Sequence, residues 1–304
     1  RTICQAGGTA DQWFIRERMA RRVVATGNGI FYPRRAAPGI SNDTTMNEPS
    51  TRIVKVNGSG CRIWENGDGE PLVLLSGFGG YPNWTPFLGH LASKRRLIVP
   101  SLPGYPGADG HRLLDNQLDW VSATLDLLEA AEINNTDLIG LGPGAALAAE
   151  VAAMVHTHVR RLVLIGPMGL FDEGDPLGDI WALRDSEVPA MFSSQPEKFA
   201  EALSCPDNED EVEWRILQTR AREAAARMLW PIGDTGLAKR LHRITAPTLL
   251  LWGGADRVVP PVYANRFADL ITGPCETKTI DGSGHRVDFD AAEQTAKAIL
   301  SFLH

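Results

Sequence analysis

From residue 51 onward the apolar positions gather into short continuous runs separated by longer stretches of helical period. Residues 51–56 and 61–65 are β-branched runs on either side of Asn57-Gly58-Ser59-Gly60, which predicts a β-hairpin. Further runs at 71–75, 97–100, 136–141, 161–165, 247–252 and 277–280 predict six buried strands. Helical spacing appears between them. Leu118, Val121, Leu125 and Leu128 define one face of a helix over 116–131, and an alanine-rich helix is expected over 145–155. Helices of 10–15 residues are expected between most of the strands. Apolar strands alternating with helices predict an α/β fold with a mostly parallel, eight-stranded sheet flanked by helices. The opening hairpin would supply an antiparallel edge.

Residues 170–243 break this rhythm. They contain Trp181, Met191, Phe192, Phe199, Trp214, Met228 and Trp230 without any strand-like run. They read as a helical cap over the sheet, with 46–169 and 244–304 forming the core. Most of these aromatics are expected to bury the cap against itself. Trp181, Met191 and Trp230 are candidates to line whatever lies beneath.

Charge separates the beginning of the chain from the rest. Residues 1–45 carry seven Arg, no Lys and three acids, and no Leu occurs before Leu72. We expect an extension outside the fold, ahead of a start at Met46, with a short basic amphipathic helix over 13–24. It lacks the apolar core of a secretory signal, and an Arg-rich transit peptide is the competing reading. The whole chain has net charge −7, which argues against a generic nucleic-acid binder. No apolar run approaches the roughly 18 residues of a membrane span. The four cysteines are scattered, with no Cys/His cluster. This predicts neither a disulfide framework nor a metal site, and makes a reducing, cytoplasmic compartment the default. No cofactor is expected.

Ligand sites in open α/β sheets lie beyond the carboxyl ends of the strands. Four loops there carry candidate chemistry: Ser76-Gly77-Phe78-Gly79-Gly80, Gly140-Leu141-Gly142-Pro143-Gly144, Gly253-Gly254-Ala255-Asp256-Arg257 and Asp281-Gly282-Ser283-Gly284-His285. Together with Leu102-Pro103-Gly104-Tyr105, they resemble the α/β-hydrolase superfamily from residue 51 to the C-terminus. The likeness is to cap-bearing hydrolases of carboxylic esters and carbon–carbon bonds. It implies an oxyanion loop at Ser76, Gly77 and Phe78, an acid at Asp256 and a histidine at His285, following the family order of nucleophile, acid, histidine.

Gly142 stands at the nucleophile position of the expected G-x-S-x-G elbow, so no side chain is present to attack a carbonyl. The next residue, whose backbone N–H donates to the oxyanion in this family, is Pro143, which has none. Ser101 replaces the usual Asp of the Pro-Gly turn, and Ser76 stands where His is common. Ser76 and Ser283 lie on the right loops but not on an elbow. The residues therefore predict a capped pocket for a small, largely apolar carbonyl compound or ester, with serine hydrolysis lost. Two readings of Asp256–His285 remain open: a relic, or a dyad acting as general base. An active ester or carbon–carbon hydrolase is the alternative that the resemblance itself implies. Oligomeric state is not legible.

Overall fold

The computed structural model describes residues 48–207 and 209–304. The extension and basic helix expected within 1–45 lie outside the described residues. Eight strands form one sheet: β1 (Ser50–Val56), β2 (Ser59–Asn66), β3 (Pro71–Leu75), β4 (Arg96–Pro100), β5 (Thr136–Leu141), β6 (Val159–Ile165), β7 (Thr248–Gly253) and β8 (Cys275–Ile280). Their order is β1-β2-β4-β3-β5-β6-β7-β8. The hairpin β1–β2 and the β2–β4 pair are antiparallel, and every pair from β4 to β8 is parallel. The hairpin turn is tighter than the four-residue loop expected. Asn57 and Gly58 alone form it, with φ of 49° and 80°, and Val56 already pairs with Ser59. Two successive positive φ values match the turn that suits a twisted hairpin.

Between the strands lie α1 (Pro86–Ala92), α2 (Gln117–Ala130), α3 (Gly142–Met154), α8 (Tyr263–Leu270), α9 (Val287–Asp290) and α10 (Ala292–Phe302). Helices α1 and α8 have seven and eight residues, shorter than expected. Asn116 caps α2 through a capping box: its side chain accepts from the Asp119 N–H, and Asp119 accepts from the Asn116 N–H. Alternate residues of each buried strand serve opposite cores. Leu72 and Leu74 of β3 pack in the layer containing α1 and α10. Val73 and Leu75 pack with α2, α3 and α8. This two-sided burial explains why the strands read as continuous apolar runs.

Helix α3 begins at Gly142 itself, three residues earlier than expected. Its close seat on β3 depends on Gly144, where a Cβ would stand 2.5 Å from the carbonyl oxygens of Leu75 and Ser76. Residues 166–247 carry α4 (Val188–Phe192), α5 (Pro196–Leu203), α6 (Glu211–Leu229) and α7 (Ala238–Leu241), and no strand among the described residues. No helix among the described residues is long and apolar enough to cross a membrane.

A buried charge cluster fixes the opposite end of β5 from the candidate site. Asp137 is fully buried and accepts from Arg95 at 2.6 Å and from Arg160 at 2.9 and 3.1 Å. Arg95 also donates to the Glu70 and Pro71 carbonyls, so one side chain ties the starts of β3 and β5 together. Burial opposes the Asp137 charge, but hydrogen bonds from Arg160 and Arg95 outweigh it and hold the carboxyl below its ordinary range. Asp137→Ala should therefore lower the unfolding free energy by about 3–5 kcal/mol, because it strands buried Arg95. Denaturant midpoints of both proteins across pH check this. The Asp137 contribution is present above the ordinary carboxyl pKa near 4 and is lost as pH falls through the depressed folded value.

Candidate active site

Five strand ends converge on one point. Gly77 and Phe78 follow β3, Gly142 follows β5, Gly166 follows β6, Asp256 follows β7 and His285 follows β8. Parallel strands bring their carboxyl-terminal loops to the same edge, so residues distant in sequence meet there. Asp256 and His285, predicted from their loops, are in direct contact. His285 Nδ1–H donates to Asp256 Oδ2 at 2.8 Å, and the two side chains are 3% and 1% exposed. The second carboxylate oxygen, Oδ1, accepts from the N–H groups of Val258 and Val259 at 2.8 and 2.9 Å. A carboxylate is an acceptor only, so this bond places a proton on Nδ1, and in the neutral ring the lone pair is then on Nε2.

That lone pair belongs to an atom beside Gly142. The backbone there has φ +47°, and a Cβ built on it would lie 2.9 Å from His285 Nε2 and 3.6 Å from Phe78 Cδ2. The imidazole thus stands closer to the elbow than a side-chain-bearing residue would allow. Gly166 makes room from the other side, since a Cβ there would be 3.1 Å from both Nδ1 and Cε1 of the ring. Pro143 sits at the start of α3, where its missing N–H costs the helix nothing. In the facing loop, the Phe78 N–H has no hydrogen-bond partner among the described residues. Gly77 approaches Leu141 so closely that a Cβ would be 3.2 Å from the Leu141 Cβ. Ser76 and Ser283 are buried near this edge.

Aromatic rings cover the dyad. Phe78 lies 5.9 Å and Phe192 5.8 Å from the His285 ring, centroid to centroid, and Phe78 meets Phe192 at 5.2 Å and Trp181 at 6.1 Å. Of the three expected lining residues, Trp181 joins this cluster. The Met191 sulfur packs toward Gly178, and the ring of the adjacent Phe192 meets the histidine ring. Trp230 is 59% exposed, because it follows the last turn of α6 where the chain leaves the helix in extended conformation. The rings of this cluster lie over the dyad in mutual contact. Two open cavities lie elsewhere, one of about 340 Å³ bordered by Phe171, Tyr263 and Arg266 and one of about 290 Å³ beside β8.

The loops around the dyad are braced from below. Tyr81 O–H donates to buried Asp288 at 2.9 Å, and Arg286 donates twice to the same carboxylate at 2.8 Å. Burial opposes the Asp288 charge, while Arg286 keeps its carboxyl below the ordinary range. This links the oxyanion-loop side to the histidine segment. Neither Tyr81 nor Asp288 was singled out from sequence, where each reads as an ordinary polar residue.

The model of the alpha/beta hydrolase family matches residues 72–298. The 2-hydroxy-6-oxo-2,4-heptadienoate hydrolase of Pseudomonas putida is 28% identical over 274 residues, covering 86% of this chain and 98% of that protein. A dihydrolipoyllysine-residue acetyltransferase component of the acetoin cleaving system, also from Pseudomonas putida, is 31% identical over 84% of this chain and 70% of its own length. Among solved structures, a meta-cleavage product hydrolase from Pseudomonas fluorescens shares the fold with a TM-score of 0.68 at 18% identity, covering 83% of this chain and 97% of that one.

The site geometry makes Gly142 intolerant of a side chain. Gly142→Ala should destabilise the protein by about 1–2 kcal/mol from the left-handed backbone alone. It should also push the imidazole away from the elbow. Denaturant midpoints and the shift of the His285 ring resonances measure the two effects separately.

Proposed function

The chain belongs to the alpha/beta hydrolase family, and we propose that it uses the fold for proton transfer to or from a small, largely apolar carbonyl compound, without forming an acyl-enzyme. One observation carries the reading. The Asp256–His285 bond is intact at 2.8 Å, while the atom that Nε2 would normally deprotonate has no side chain to sit on. An oriented neutral imidazole is a competent base by itself. The aromatic cover supplies an apolar, water-poor setting, which strengthens electrostatic interactions with any polar group admitted.

Hydrolysis needs two things that are missing. Gly142 offers no hydroxyl, and Pro143 offers no N–H to a developing oxyanion, a donor worth about 3 kcal/mol in comparable sites. The Phe78 N–H is the remaining candidate donor, sufficient to polarise one carbonyl or hold one enolate oxygen. Proton transfer requires no more than that. The name of the Pseudomonas putida relative describes a substrate carrying both a 2-hydroxy-diene and a ketone. Moving a proton from such an enol oxygen to a chain carbon gives the ketone form. A base and a proton donor accomplish it with no nucleophile. A compound of this class fits the proposed chemistry.

The test is solvent isotope exchange. In D2O, the protein should speed deuterium incorporation next to the carbonyl of apolar enolisable ketones or 2-hydroxydienoates, followed by proton NMR. His285→Ala should remove that acceleration, a loss on the order of 10²-fold or more for a general base. Exchange that persists in His285→Ala contradicts the proposal. Binding without exchange in the wild type reduces the dyad to a relic in a ligand-binding site.

Restoring hydrolysis should require both lost groups. Gly142→Ser alone should give little turnover of p-nitrophenyl esters. Adding Pro143→Leu should raise it by on the order of 10²-fold, the usual weight of one oxyanion donor. Equal rates for the single and double variants would show that the missing N–H does not matter.

A further inference from the structure

His285 is held at three places, and only one of them is its ring. The segment 281–286 carries it between β8 and α9, and both peptide N–H groups that flank it are engaged. Gly284 N–H donates to Asp290 Oδ2 at 2.7 Å, and Arg286 N–H donates to the Phe192 carbonyl at 2.9 Å. Phe192 is the last residue of α4, and its ring is one of the two that cover the imidazole.

Asp290 reaches the same short helix from the other side. Its Oδ1 accepts from Ser193 Oγ, and its Oδ2 accepts from Ser194 N–H at 2.9 Å and Ser194 Oγ at 3.0 Å. The Asp290 carbonyl accepts from Gln195 Nε2 at 3.2 Å. Ser193, Ser194 and Gln195 follow directly on Phe192. One carboxylate therefore gathers the backbone beside the base and the chain that carries its aromatic cover. Hydrogen bonds to an ionised acceptor are shorter and stronger than neutral ones, so this is a stiff joint.

We infer that Asp290 is a positioning residue for His285, coupling the seat of α4 to the orientation of the imidazole. The consequence is mechanical. Phe192 packs over the imidazole, and the Asp290 joint transmits any movement of it to Gly284 and Arg286. Raising the cover and re-aiming Nε2 are then one event, and the base reaches its working orientation only when the cover is seated. The inference rests on His285 being the reacting group.

Two readouts that need no turnover test it on the full chain. The first is the downfield proton resonance of His285 Nδ1–H in protein labelled with 15N-histidine, assigned by its loss in Asp256→Asn. The second is the rate of carbethoxylation of His285 by diethyl pyrocarbonate, followed by peptide mass spectrometry. Asp290→Ala should broaden away the resonance well below its melting temperature and speed modification by about tenfold, as expected when a local opening becomes easier. Asp290→Asn retains an acceptor oxygen for Gly284 and an amide that a rotated Ser193 hydroxyl can accept from, so it should keep both signals near wild type. A folded Asp290→Ala protein with the wild-type resonance and modification rate overturns the inference. If that variant does not fold, Ser193→Ala combined with Ser194→Ala decides, because it leaves the Gly284 bond in place. Faster modification of His285 then supports the coupling, and an unchanged rate contradicts it. Neither readout depends on isotope exchange, so failure of the proposed chemistry and failure of this joint are separable.

Discussion

The hydrogen bond from His285 Nδ1–H to Asp256 is the interaction on which the candidate site depends. It fixes the tautomer, aims Nε2 at the elbow and ties the ends of β7 and β8 to one another. Its supports do not involve the elbow. The acid is held by the Val258 and Val259 amides, and the histidine segment by Arg286, Asp288 and Asp290. This independence explains how the dyad geometry survives with a glycine at residue 142. Residue 142 faces Nε2, and the supports on the Nδ1 side do not pass through it.

At the elbow, the physical consequence runs toward relaxation. A side chain at φ +47° is strained, and catalytic sites retain such strain only where the surrounding structure enforces it. Glycine adopts the conformation freely. Proline at the next position suits the first turn of α3 and has no donor to waste. With this pair the turn from β5 into α3 is a comfortable strand-to-helix joint. Family membership accordingly gives the fold and the placement of the site, while the chemistry must be read from the residues that occupy it.

Much of this was legible in the chain. The inner strands β3 to β7 were visible because burial on both faces makes each a continuous apolar run, while the outer strands β1, β2 and β8 showed as short β-branched runs with exposed or half-buried positions. The acid and histidine loops were visible because each follows its own strand. The cover was harder. Helix α4 has five residues, too few for periodicity to say which side faces inward, so Met191 was expected where Phe192 stands. Trp230 lies past the end of α6, where helical period no longer predicts direction, and it faces solvent. Asp290 gave no signal, since its partners are a backbone group six residues away and the Ser193–Ser194 pair nearly a hundred residues away. The contacts of Phe78 with Phe192, Trp181 and the His285 ring depend on packing between loops and could not be read from composition.

On the proposed function, no residue of this site forms a covalent acyl or phosphonyl adduct. Intact-mass spectrometry of the protein with an excess of a fluorophosphonate, and separately with an activated ester, measures it directly. The mass should stay unchanged with both reagents at times that fully label an active serine hydrolase. A stoichiometric adduct mapping to Ser76 or Ser283 would contradict it, by revealing a nucleophile outside the elbow.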